Sequence, residues 1–139
     1  MELSEKVRQQ FIEYIMLMVY DDQYIDRHEE KKILEEGIRR GIRVEDGLSI
    51  IKHVAAEKGL VVEREVEESV KDILRQYALD DGLIGKDEFE DALAMFNDVC
   101  KGKISESELK KRLKKMILDN GWKAKEGGLF GGGKWFSSI

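Results

Sequence analysis

Proline is absent from the chain, cysteine occurs once, at Cys100, and there are only two histidines, His28 and His53. Without proline the strongest helix breaker is missing, and abundant Leu, Ile, Glu, Lys and Arg favour helix over strand. A lone cysteine excludes an internal disulfide, and no Cys/His spacing suits zinc. Nothing near the start combines a basic stretch, an apolar run and a small-residue cleavage site, so a reducing, cytoplasmic setting is expected. Long apolar runs are also missing. The most apolar stretch, residues 11–20, contains Glu13 and is far shorter than the roughly 20 residues of a membrane-crossing helix.

What the chain does have is charge, unevenly placed. Its 139 residues carry a formal −5, but residues 1–100 hold 14 Lys or Arg against 25 Asp or Glu, whereas residues 101–125 hold nine against three. An acidic body argues against nucleic acid as a partner. The basic segment fits either a solvated helix face or a surface for anionic membrane or an acidic protein.

Helical periodicity repeats along the chain. Ser4 caps a first helix with Val7, Phe11, Tyr14, Ile15 and Met18 on one stripe. Asp26 and Glu29 form a capping-box pattern before Ile33, Leu34 and Ile38. A short third helix is expected to carry Leu48, Ile51, Val54 and Ala55 to a stop at Gly59, and a fourth runs from about Glu63 through Val66, Val70 and Leu74. The fifth carries Phe89, Leu93 and Phe96, and the sixth runs from Ser105 through Leu109 and Leu113 to Asn120 and Gly121. The expected fold is therefore all-α, about six helices with two pseudo-symmetric helix-loop-helix units over residues 1–121, followed by a flexible Gly/aromatic tail over 122–139.

Three connections share a pattern when Ile25, Ile84 and Ile104 are aligned: each places a Glu four residues after the Ile. Helix capping accounts for most of this, with the residue after Ile as cap and the Glu returning to it. A calcium-binding EF-hand loop also has an apolar residue and a Glu at these positions, but its first two ligand positions fall on Met18 and Tyr20, Tyr77 and Leu79, then Asn97 and Val99, so no loop has the required pair of oxygen donors. There remain the pairs Asp21-Asp22 and Asp80-Asp81, which together with Asp26, Glu29 and Glu88 either stand as solvated acids or, if brought together, recruit Ca2+ or Mg2+.

An apolar helix running twice into an acid-Gly-x-Ile-x-x-x-Glu loop, at Tyr20 to Glu29 and Ala78 to Glu88, resembles the TerB-like family. That family is named for a tellurite-resistance protein and is also found as the helical domain before some J-domains. Gln23 stands where its pattern prefers Gly. The resemblance implies a helical fold with internal pseudo-symmetry and duties in stress response or membrane-associated complexes. It also implies metal ligation by Asp22, Asp26 and Glu29 in the first loop and by Asp81 and Glu88 in the second.

No nucleophile-and-base constellation or phosphate-binding GxxxxGK loop is present, so no enzymatic activity is expected. His28 lies in a polar first turn, His53 beside Val54, and Cys100 on an apolar stripe. Lys110, Lys111, Lys114 and Lys115 give the sixth helix a basic face, with Trp122 just beyond, and the tail adds Leu129, Phe130, Trp135 and Phe136. Exposed aromatics call for a surface. The tail either docks back on the domain or captures a protein partner, while the basic helix either seals the core or lies on a membrane surface. Homo-oligomerisation through tail and helix is a further reading.

Overall fold

The computed structural model describes residues 3–20, 22–126 and 133–139. Among them are six helices: α1 (Glu5–Met18), α2 (Arg27–Arg39), α3 (Val44–Lys58), α4 (Glu63–Tyr77), α5 (Lys86–Val99) and α6 (Glu106–Asp119). Four two-residue strands join them: β1 (Tyr24–Ile25), β2 (Val61–Val62), β3 (Leu83–Ile84) and β4 (Lys123–Ala124). The all-α expectation holds, with strands reduced to short bridges. The chain divides into two units, Met1–Arg64 and Glu65–Ile139.

The first unit grows from helix capping and apolar spacing. Ser4 Oγ accepts the Val7 N–H at the start of α1, and Asp26 and Glu29 close both halves of a capping box on α2. Phe11 and Ile15 of α1, Ile25, Ile33 of α2, Ile51 and Val54 of α3, and Val62 bury together as one core. Gly37 admits Phe11, whose ring lies 3.2 Å from where a Cβ would stand. Leu17 is 76% exposed, so α1 buries one stripe and not its whole circumference. Helix α3 starts at Val44, four residues before Leu48, the first of the apolar positions it was expected to carry. No side chain caps it, but Glu45 and Asp46 in its first turn complement the helix dipole, and Arg43 pairs with Asp46 at 3.2 Å. Its end at Gly59, in the left-handed region with φ 70°, is as the sequence predicts.

The second unit repeats the order helix, strand, helix, helix, strand. In the first unit β1 pairs parallel with β2, Tyr24 opposite Val61 and Ile25 opposite Val62. In the second, β3 pairs parallel with β4, Leu83 opposite Lys123 and Ile84 opposite Ala124. The loops before β1 and β3 agree bond for bond. The Gln23 carbonyl accepts the Val61 N–H at 3.0 Å, and the Gly82 carbonyl accepts the Lys123 N–H at 2.9 Å. Gln23 adopts the left-handed φ of 54° that Gly82 adopts at 71°, so the missing glycine leaves the loop geometry intact. The third aligned segment departs, because Ile104 lies in the α5–α6 connection and joins no strand.

The expected boundary after Gly121 falls inside the second unit, since β4 lies beyond it and pairs with β3. The flexible tail is also corrected over its described part. Trp135 Nε1 donates to the Lys125 carbonyl at 2.8 Å, and Phe136 is 7% exposed.

Candidate functional site

The acidic loops use their carboxylates on their own backbone. Asp22 Oδ1 accepts the Tyr24 N–H at 3.2 Å, and Asp81 Oδ1 accepts the Leu83 N–H at 2.9 Å. Asp26 Oδ1 accepts the Glu29 N–H at 2.7 Å, while Glu29 and Glu88 accept from the N–H groups of Asp26 and Gly85. These are turn and cap bonds: Asp26 satisfies a free N–H in the first turn of α2, and Glu29 and Glu88 reach back to the residue before their helix. In the first loop, burial raises the Glu29 pKa against the pull of the Asp26 N–H, with the charges of Asp26 and Asp22 adding to the rise. Among the described residues no three or more His, Cys, Asp or Glu side chains are gathered so as to hold a metal ion. Of the expected ligand set, Asp22 and Asp81 thus accept N–H groups in turns and Asp26, Glu29 and Glu88 accept them at helix starts, while Asp21 lies outside the described residues.

The basic face of α6 is largely engaged. Its apolar side, Leu109, Leu113 and Ile117, is fully buried, which makes it a packed helix. Arg112 reaches Glu67 at 3.1 Å and Glu108 at 3.3 Å. Lys110 lies 3.6 Å from Glu106, and Lys115 lies 2.8 Å from Asp119. Lys114 Nζ donates to the carbonyls of Phe136 and Ile139 and sits 5.2 Å from the Phe136 ring centre. Lys111 is exposed and, with Lys110, lines the edge of a groove.

The tail is clasped by one carboxylate. Glu126 accepts from the N–H groups of Phe136 and Ser137 at 2.9 and 2.7 Å and from the Ser137 hydroxyl at 2.5 Å. The Ser137 bonds, hydroxyl first, hold the Glu126 pKa below its ordinary value. This places Trp135 and Phe136 on Phe89 of α5, with ring centres 5.1 and 6.4 Å apart and inclined as aromatic pairs prefer. Of the predicted partner-binding residues, Phe136 is thus buried, Trp135 and Trp122 are half-buried, and Leu129 and Phe130 lie outside the described residues.

Beside this aromatic cluster α5 and α6 leave a groove of about 940 Å3. One wall is Phe89, Glu90, Leu93, Ala94 and Asn97 of α5, the other Glu106, Ser107, Lys110 and Lys111 of α6. Trp135, Ser138 and Ile139 close one end. Phe89 and Leu93 were legible in the sequence only as a core stripe. The recess itself arises from two helices and a tail and has no local signal, except that Trp135 stood out as an aromatic among glycines. No family model, curated protein or solved structure matches the chain.

Proposed function

We propose that this protein is a non-enzymatic, cytoplasmic helical interaction module of TerB-like type, engaging a protein complex in stress response or at a membrane through the α5–α6 groove. One observation carries the reading: a concave recess of about 940 Å3 whose end is formed by a half-buried tryptophan. Large aromatics at the edge of a recess are the usual anchors of protein recognition. The duplicated acidic loop, with matching bonds in both units, supports the family part of the reading. The nucleophile-bearing and basic side chains point away from catalysis, since Cys100 is fully buried and His53 is exposed beside Glu57 at 3.7 Å.

A divalent ion is not part of the proposal, because the carboxylates that would hold it already accept backbone N–H groups of their own loops. The membrane reading through α6 also loses support, because freeing Leu109, Leu113 and Ile117 would open the unit. Among the described residues, no helix is long and apolar enough to cross a membrane.

Site-specific photo-crosslinking in the source cell tests the groove. A crosslinker at Ala94 or Asn97 should give discrete protein adducts, and one at Lys31, on the exposed side of α2, should not. Equal adducts at all three positions, or none, would remove the groove as the interaction site.

A further inference from the structure

We infer that the α5–α6 groove takes an acidic amphipathic helix of a partner protein, its apolar residues against Ala94, Trp135 and Ile139 and its carboxylates against Lys86, Lys110 and Lys111. The inference rests on the interaction role proposed for the groove and adds the chemistry of its occupant.

Shape selects a helix. The wall runs from Lys86 to Asn97, about 16 Å at roughly 1.5 Å per residue, which matches about three turns of a partner helix. Glu106 at the start of α6 shares the groove with Asn97 near the end of α5, so the two helices run antiparallel and the recess is a trough along both. Its walls are helices whose backbone groups are bonded internally, so an extended peptide would find no strand edge to join. A helix needs only side-chain contacts.

Charge selects an acidic one. The trough carries Lys86, Lys110 and Lys111 against Glu90 and Glu106, a positive balance on a chain of formal charge −5. The two glutamates face lysines at 4.0 and 3.6 Å, as exposed pairs one helical turn apart that an incoming carboxylate can replace at little cost. Lys111 makes no ion pair among the described residues. An anionic membrane fits less well, because the lysines flank a recess and the apolar side of α6 is buried.

The probe is a fluorescein-labelled helical peptide of about 14 residues, with leucines at every third or fourth position and glutamates on the flanks, compared with a peptide that keeps the leucines and carries lysines instead. Anisotropy with the full chain should show the acidic peptide binding about tenfold more tightly, a preference that shrinks in about 1 M salt, where the screening length falls to about 3 Å. Lys110→Glu with Lys111→Glu should reverse the preference, Ala94→Trp should block both peptides, and Lys52→Glu on α3 should change nothing. Equal binding of both peptides, a preference untouched by the double charge reversal, or binding to phosphatidylglycerol vesicles without peptide binding would each overturn the inference. If crosslinks at Ala94 persist while the acidic peptide fails, the groove remains the interaction site and only its occupant is wrong. If both fail, both readings go.

Discussion

The two units share a backbone plan and finish it differently. At the first turn of α2 stands Glu30, 6% exposed, with Arg64 Nε 3.1 Å from both its oxygens. Beside it the Glu63 carboxylate accepts the Arg27 N–H at 3.1 Å. The matching position of α5 is Phe89, covered by Trp135 and Phe136 from beyond β4. One unit therefore closes its repeat with a buried ion pair supplied right after β2. The other closes it with an aromatic strap, Trp135 and Phe136, eleven and twelve residues after β4. The ion pair is compact, with Glu30 buried and Arg64 half-buried, whereas the large rings of the strap lie at one end of a groove between α5 and α6. The duplicated scaffold places equivalent positions, Glu30 and Phe89, at the first turns of α2 and α5, and each unit covers its own with a different element.

That contrast can be broken from either side. The largest effect is expected from Phe89→Ala, which removes the ring both tail aromatics rest on. It should cost about 3–5 kcal/mol in denaturant unfolding and release the tail, whereas a loss under about 1 kcal/mol would mean the strap seals nothing. In the first unit, Arg64→Leu leaves Glu30 buried without its partner and should cost about 3 kcal/mol. The double variant Glu30→Leu, Arg64→Leu should recover most of that, because a buried pair replaced by apolar side chains is close to neutral. Failure of the second change to rescue the first would show that the pair is not what closes this unit.

The third test is of pH. Glu126 has a lowered pKa, so its clasp on the tail is present at neutral pH and is lost as pH falls through the carboxylate range. In a Trp122→Phe background, Trp135 emission should shift to the red on acidification, and Glu126→Ala should show that shift already at pH 7. Emission insensitive to both would detach the strap from Glu126. The smallest effect is expected from Gln23→Gly. It relieves a left-handed residue at φ 54° and should stabilise the first unit by up to about 1 kcal/mol. A lower melting temperature would show that the two loops are not equivalent.

Much of the scaffold was legible because its signals are local. Ser4, Asp26 and Ser105 each bond the backbone N–H three residues on, an interaction written in adjacent residues. Helix α3 was legible in type but not in start, since Arg43 is no recognisable cap and Gly47 sits early in the helix, where it lets Leu34 of α2 approach. The paired strands were not legible. Two residues are too few for an alternating pattern, and their partners lie 37 and 40 positions away. The acids at Asp22, Asp26, Glu29, Asp81 and Glu88 were read correctly as a repeated motif, but their chemistry turned on orientation. Carboxylates that satisfy nearby N–H groups cap helices, and the same residues turned toward one point would have bound an ion.

By itself, then, the sequence determined the helices, the caps and the repeat of an acidic loop, all set by interactions within a few residues. Tertiary structure decided which lysines of α6 are engaged, that Trp135 and Phe136 fold back on Phe89, and that a groove remains beside them. A recess is the space left between elements distant in the chain, and no local run of residues encodes it.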